Sequence, residues 1–283
     1  MKGYRDWGLS ARMFLTMFLL GVVYLAFISI LSYAGYGIGP ILIFVGFTLG
    51  IQFYFSDKLV LWSMGAKIVD ATEAPRLHDA VEHLCAEANL PKPKIAIVNS
   101  PIPNAFATGR NKKNAVVAVT SSLMDKLSQP ELEAVLAHEL SHIKHRDMFV
   151  MTLASFFSTI AFFLMRYLIF FGDRRRGNLM LIWAASISVW LISFILIRTL
   201  SRYREFSADR GAALITAKPS NLISALLKIS GSIKRVPPQE LRRTEGMNAF
   251  FIIPALSKGS LMNLFSTHPP IEKRIERLEK MEL

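Results

Sequence analysis

Two histidines and a glutamate lie close together in the segment VLAHELSHIKHRD, residues 135–147. His138 and His142 are four residues apart, so on a helix both imidazoles project from one face, one turn apart. Each imidazole can give one nitrogen to the same ion, and Glu139 points near the open side of that ion. This H-E-x-x-H pattern is typical of two zinc ligands and a glutamate base. It predicts one zinc ion per chain and metal-assisted hydrolysis.

A catalytic zinc site needs a third protein ligand besides a water. Two apolar blocks, residues 149–171 and 178–200, follow the histidines and precede Glu205 in SRYREFSADRG. If the two blocks form an antiparallel membrane hairpin, both polar ends stand roughly 8–10 Å above the same membrane face, at about 1.5 Å per helical residue. We therefore predict Glu205 as the third ligand.

Two further residues are candidates for the same site. Asp209 follows Glu205 by one helical turn, and two such acids repel each other unless a cation or an imidazole N–H lies between them. We predict that Asp209 accepts a hydrogen bond from a zinc-binding histidine; the alternative is a pair of solvated acids beside neighbouring arginines. His145 is the rival ligand, but a straight helix carries it almost two turns from His138, so we interpret it as a polar residue near the membrane.

The composition indicates a membrane protein. The chain has 283 residues, of which 52% are hydrophobic and only 19% charged. Soluble domains average about 45–50% apolar and about 25% charged residues. The apolar excess is confined to four blocks, and about 20 apolar residues span a bilayer. Buried helices of a soluble core are disfavoured, because they seldom run to this length without charges. The blocks are residues 13–33, 40–55, 149–171 and 178–200.

Charge predicts the orientation of these blocks. Lys2, Arg5 and Arg12 precede the first block, and the connection over residues 33–40 carries no charge. Because positive flanks stay inside, we expect the N-terminus and the polar segment up to Asp147 in the cytoplasm of a multi-pass cell-membrane protein. The run of arginines at 174–176 disagrees with this topology; we still expect the hairpin to cross. The net charge of +12 has no basic stripe interleaved with aromatic residues, so we expect no nucleic-acid partner.

The polar segments predict a small mixed domain. A helix near 75–90 is followed by alternating, strand-like runs at 94–100, 104–110 and 114–120, and a helix starts near Ser128–Pro130. We predict a mainly α integral membrane protein with about four transmembrane helices and a zincin-like α+β catalytic domain carrying a small β-sheet. Lone Cys85 is interpreted as a core residue. The predicted parts are a helix pair (1–55), a membrane hairpin (149–200) and a split catalytic domain (56–148 and 201–283).

Four segments together resemble the HtpX family of membrane zinc endopeptidases, which is related to the CAAX prenyl-protein endopeptidases. They are AHELSHIKHRD, REFSADRGAA, PNAFATGR and STHPPIEKRIERL, and the resemblance covers essentially the whole chain. H-E-x-x-H alone is shared by many zincins, whereas its combination with E-x-x-x-D after a membrane hairpin is far more specific. The resemblance implies Glu205 as a zinc ligand, a site facing the cytoplasm and a quality-control role against damaged membrane proteins.

The resemblance also implies roles outside the two helices. Asn104 matches the family's segment at the edge of the active site, and an edge strand formed by Asn104, Ala105, Phe106 and Ala107 can pair with an extended peptide; the alternative is an ordinary hairpin strand. His268 is implied to reach the site and to hydrogen-bond the oxyanion, although a residue before a helix can also be part of its cap. Arg274 follows at the family's spacing and is expected to support this region.

Three functions follow from these patterns. The first is a zinc endopeptidase acting on unfolded or membrane-embedded polypeptides in the lipid bilayer. The second is a membrane scaffold or chaperone that keeps zinc for structure alone, which leaves Glu139 without a purpose. The third is a prenyl-protein processing peptidase. The relationship to the CAAX endopeptidases permits it, but four membrane spans leave little wall for the enclosed intramembrane chamber that is implied for those relatives.

Overall fold

The computed structural model describes residues 6–33, 38–171, 179–233, 235–236, 252 and 268–281. The predicted fold class, mainly α with a small sheet, is confirmed. The strands are β1 (Ala66–Val69), β2 (Lys94–Val98), β3 (Ala105–Thr108) and β4 (Val116–Thr120). The helices in these ranges are α1 (Trp7–Tyr33), α2 (Ile38–Ser63), α3 (Pro75–Ala88), α4 (Ser121–Lys126), α5 (Gln129–His145), α6 (Asp147–Phe171), α7 (Leu179–Thr216), α8 (Pro219–Ile233) and α9 (Ile271–Glu279).

The chain divides into two compact units. One, which we call the site unit, contains residues 55–149 and the residues from 204 onwards; the other, the apolar unit, contains residues 5–54 and 150–203. The predicted boundaries at 55, 148 and 200 fall inside α2, α6 and α7. Hydropathy marks where apolar residues end, but a helix continues into polar sequence because its backbone hydrogen bonds do not depend on side-chain polarity.

The apolar unit has its own core and an apolar exterior. Leu20, Phe27 and Leu31 of α1 are buried in a cluster that also holds residues of α6 and α7. On the outer face of α1, by contrast, Phe14 is 73% and Leu25 67% exposed. Large exposed apolar faces of this kind indicate contact with lipid or with another apolar surface.

Three helices of the described residues are long and apolar enough to cross a membrane: Trp7–Tyr33, Asp147–Arg166 and Met180–Thr216. The second apolar block forms the 26-residue α2, and its crossing stays a prediction. The arginines at 174–176, which conflict with the predicted topology, lie outside the described residues.

The site unit is built on a four-stranded sheet of order β1-β2-β4-β3. β2 and β4 are parallel, and the two outer pairs are antiparallel. Successive side chains of a strand point to opposite faces. Ile95, Val117 and Val119 accordingly face one core with α3 and α5, while Ala96 and Ala118 face another with the end of α2. β3 is an edge strand, as the predicted peptide-binding role requires.

Local capping fixes where α5 begins and ends. Glu131 accepts a hydrogen bond from the backbone N–H of Ser128 at 2.8 Å, which satisfies a donor at the helix start. The same buried carboxylate accepts from Ser224 and Lys228 of α8, and these bonds lower the pKa of Glu131 to about 2 in spite of its burial. At the other end, Arg146 adopts a left-handed conformation (φ 56°) that stops α5 one residue before α6.

α5 and α7 are in close contact where Gly211 faces Ser141. A Cβ at position 211 would lie 2.8 Å from the Ser141 Cβ and still closer to its Oγ, which already donates to the Ala137 carbonyl. The bare Cα of Gly211 therefore allows the two helices that carry the predicted zinc ligands to lie side by side.

Gly211→Ala should destabilise the full chain by about 1–3 kcal/mol, because overpacking outweighs the better helix propensity of alanine. Gly231→Ala in α8 is the matched control: nothing lies within 4 Å of its Cβ position, so it should be neutral or up to about 1 kcal/mol more stable. Denaturant unfolding in detergent measures both. Equal stability of the two variants would contradict the close approach.

Candidate metal and peptidase site

Three predicted ligands meet at one point of the site unit. The Nε2 atoms of His138 and His142 are 3.1 Å apart on adjacent turns of α5. Glu205 of α7 places Oε2 3.6 Å from His138 Nε2 and Oε1 3.6 Å from His142 Nε2. Among the described residues these three form the group of donors spaced to hold one metal ion.

The spacing of these donors fits a tetrahedral metal. Zinc–nitrogen and zinc–oxygen bonds of about 2.0–2.2 Å place neighbouring tetrahedral ligands about 3.3–3.5 Å apart. The observed separations of 3.1 and 3.6 Å bracket that range. Two imidazoles and one carboxylate also form the donor set of known catalytic zinc sites, in which a fourth position stays open. The residues therefore fit the predicted ion.

Asp209 lies beside the imidazole of His138. Its Oδ1 is 3.0 Å from His138 Nδ1, which leaves the Nε2 of that ring directed at Glu205. Arg274 of α9 donates to both carboxylate oxygens of Asp209, at 2.8 and 2.5 Å, and lies 3.7 Å from Glu205. Arg274 is 2% exposed. It neutralises two buried acids that would otherwise repel each other.

His138 and His142 differ in their protonation. Burial lowers the pKa of His138, but the nearby carboxylates of Asp209 and Glu205 outweigh it and raise the pKa to about 9. Burial lowers the pKa of His142 and outweighs the pull of Glu205. Protons and a metal ion therefore compete mainly for His138.

Sequence reasoning missed Asp147 and Arg204. Asp147, the first residue of α6, places Oδ2 2.7 Å from His142 Nδ1 and forms an ion pair with Arg204 of α7. Asp147 comes five residues after His142 and beyond the end of α5, so no helical periodicity pairs them. The only available signal was the polar residue between the H-E-x-x-H helix and the next apolar block.

Glu139 is buried beside the metal ligands. It is 4% exposed, and burial raises the pKa of its carboxyl while the two ligand histidines lower it in part. The backbone N–H of Ala107 also bonds to this carboxylate. Glu139 is thus linked to β3, the strand predicted to bind peptide.

The edge segment is tightly enclosed. Asn104, Ala105 and Phe106 are at most 3% exposed, and Ala107 is partly buried. The Asn104 side-chain oxygen accepts from the backbone N–H of Ile252 at 2.9 Å. The backbone of Asn104 also forms hydrogen bonds with Thr120 at the end of β4. In the sheet of the described residues β3 is an edge strand that pairs with β4, so its other backbone edge faces away from that sheet.

His268 joins the cluster, whereas His145 does not. His268 lies three residues before the start of α9, and its Nδ1 is 3.1 Å from Glu205 Oε2. His145 is exposed at the end of α5 and lies outside the donor group. Cys85 is buried in the core cluster, and burial raises the pKa of its thiol to about 11.

Comparisons with known proteins agree with this geometry. Residues 71–282 match the sequence model of Peptidase family M48. Protease HtpX homolog 2 of Methanosarcina acetivorans is 60% identical over 99% of this chain and 98% of its own. Protease HtpX homolog of Moorella thermoacetica is 58% identical over 98% and 95%. The solved structure of S. mikatae Ste24p is 18% identical, with a TM-score of 0.60 over 96% of this chain and 67% of that one, a likeness that shows the fold alone.

Arg274→Ala should destabilise the full chain by about 3–5 kcal/mol, because it leaves Asp209 as a buried charge without its partner. Lys273→Ala, the neighbouring exposed residue of the same helix, is the control and should change stability by less than about 0.5 kcal/mol. Denaturant unfolding distinguishes them; a loss below about 1 kcal/mol for Arg274→Ala would show that the pair is dispensable.

Zinc binding should strengthen with rising pH, because the ion must displace a proton from His138, whose pKa without metal is about 9. One displaced proton weakens the apparent affinity roughly tenfold for each pH unit below that value. Chelator competition between about pH 6 and pH 8 measures the slope. Asp209→Asn removes the carboxylate that holds the proton, so its slope should be shallower. A wild-type affinity independent of pH would contradict the assignment.

Proposed function

The chain belongs to Peptidase family M48 and is a metalloendopeptidase, and we propose that it uses one zinc ion to hydrolyse misfolded or damaged membrane proteins at the cytoplasmic face of the cell membrane. The predicted resemblance to HtpX proteases is confirmed by the family match and the high-identity relatives. The observation that carries the proposal is the convergence of His138, His142 and Glu205 beside buried Glu139.

In the proposed mechanism, His138, His142 and Glu205 hold the zinc. Bound zinc lowers the pKa of a coordinated water to about 7 and polarises a carbonyl group. Glu139 takes the proton from the attacking water and passes it to the leaving amine. The burial that raises the pKa of Glu139 brings its basicity closer to neutral pH, where proton uptake and release are both efficient.

Residues around Glu139 are assigned to the substrate. The outer backbone edge of β3, over Ala105, Phe106 and Ala107, aligns an extended peptide as an added strand, and the backbone of Ala107 also binds Glu139. The scissile bond thereby lies next to the base. Asn104 fixes the start of this segment through its bonds to Thr120 and Ile252. His268, already beside Glu205, is assigned to stabilise the negative charge that develops on the carbonyl oxygen.

An edge strand binds a peptide through hydrogen bonds to its backbone groups, which a substrate exposes only where it is unfolded or extended. This favours damaged polypeptides as substrates over folded proteins. The three apolar helices, long enough to cross a membrane, support a membrane location. The positive N-terminal flank supports a cytoplasmic site.

The prenyl-protein alternative has one observation in its favour, the shared fold with Ste24p. The scaffold alternative has none among the described residues, because a structural zinc gives no role to Glu139. Cleavage of farnesylated peptides without activity on unlipidated chains would favour the first of these alternatives.

Glu139→Gln should lower the rate of casein cleavage by detergent-purified, zinc-loaded protein by at least about 10²-fold, because glutamine cannot accept the proton. It should still bind zinc. Glu133→Gln removes a partly exposed carboxylate from the same helix, one that accepts a hydrogen bond from Gln129, and should retain wild-type activity. If wild type and Glu139→Gln both hold zinc and neither cuts, the scaffold reading replaces the proposal.

A further inference from the structure

At the junction between α5 and α6, Asp147 lies beside His142, as Asp209 lies beside His138. Arg146 ends α5 in the left-handed conformation, and the next residue, Asp147, turns back towards the site. Its Oδ2 lies 2.7 Å from His142 Nδ1, and the residue is only 8% exposed. Because a carboxylate only accepts hydrogen bonds, the Nδ1 of His142 carries the proton and its Nε2 presents a lone pair to the donor group.

Arg204 binds the other oxygen of that carboxylate. Its NH2 group forms an ion pair with Asp147 Oδ1 and donates to the His145 carbonyl at 3.3 Å, at the end of α5. Arg204 is 5% exposed and immediately precedes Glu205 on α7. One guanidinium thus connects the α5–α6 junction to the helix turn that carries the third ligand.

The arrangement repeats the contacts around His138 with different elements. There the imidazole binds Asp209, and Asp209 binds Arg274. Around His142 the imidazole binds Asp147, and Asp147 binds Arg204. A carboxylate on the distal nitrogen of a metal-binding histidine fixes its tautomer and ring orientation and raises its basicity. A buried carboxylate needs a cation of its own to remain charged in that position.

We propose that Asp147 and Arg204 are positioning residues that hold His142 in the tautomer and orientation needed to bind the metal. Asp147 acts on the ring directly, and Arg204 acts through Asp147. This inference rests on the proposed zinc site, and it assigns to the α5–α6 junction a role in metal affinity beyond ending one helix and starting the next.

Asp147→Asn tests it, since asparagine keeps the shape but removes the charge. In the full chain, zinc affinity by chelator competition should fall roughly 10–100-fold, and the visible spectrum of the cobalt-substituted protein should change as the histidine reorients. Casein cleavage should recover with excess zinc. Asp125→Asn, an exposed aspartate of α4, is the matched control and should match wild type in both readouts.

Arg204→Gln and the double variant separate positioning from simple packing. Arg204→Gln should weaken zinc binding less than Asp147→Asn does, and the double variant should be no weaker than Asp147→Asn alone, since Arg204 acts through Asp147. If the two substitutions instead lowered zinc affinity independently, so that their losses added in the double variant, Arg204 would not act through Asp147. If Asp147→Asn fails to fold, the cobalt spectrum of Arg204→Gln decides: a wild-type spectrum overturns the inference.

Wild type separates this inference from the function on which it rests. If wild type binds no zinc, the proposed function and this inference both fall. If wild type binds zinc and cuts casein while Asp147→Asn binds zinc as tightly, with an unchanged cobalt spectrum, only the positioning role falls.

Discussion

The donor atoms of His138, His142 and Glu205 lie within 3.1–3.6 Å of one another in the interior of the site unit. The surrounding residues provide the charges and hydrogen bonds that such a buried polar group needs. Nitrogen lone pairs that face each other at such distances are repulsive unless a proton or a cation lies between them. A metal ion provides that cation. The buried carboxylates nearby then need positive partners of their own, because desolvated charges are costly without them.

Those partners come from parts of the chain that are far apart in sequence. Arg274 reaches the site from α9 near the C-terminus, and Arg204 reaches it from α7, where it directly precedes Glu205. His138 contacts Asp209, which binds Arg274, and His142 contacts Asp147, which binds Arg204. The close approach at Gly211 and Ser141 keeps α5 and α7 near enough for this network to close. The geometry of the donor group and the packing of α5 against α7 therefore depend on the same region of the two helices.

Local periodicity predicted the parts of the site that lie on one helix. The spacing of His138 and His142, and of Glu205 and Asp209, follows directly from 3.6 residues per turn. The edge position of β3 and the arrival of His268 beside Glu205 also agree with the expectations drawn from the resemblance. Hydropathy located the apolar blocks, since a bilayer-length run of apolar residues is a strong signal.

Contacts set by tertiary packing were not predictable in the same way. Asp147 lies beyond a left-handed residue that redirects the chain, so its approach to His142 has no periodic signature. The partnership of Arg274 with Asp209 spans 65 positions. The predicted domain boundaries at 55, 148 and 200 lie within about three residues of the boundaries between the two compact units, and both sets fall inside helices because composition changes along a helix without interrupting its hydrogen bonds. The side-chain oxygen of Asn104 binds the Ile252 backbone, a contact that no local pattern encodes.

Zinc K-edge X-ray absorption of the purified full chain, beside Glu205→Ala, tests the shared three-residue site most directly. We expect one zinc per chain with nitrogen and oxygen ligands at about 2.0–2.2 Å, two imidazoles among them, and the loss of one oxygen ligand in Glu205→Ala. A wild-type ion held by fewer than two imidazoles, or an unchanged ligand set in Glu205→Ala, would contradict the site.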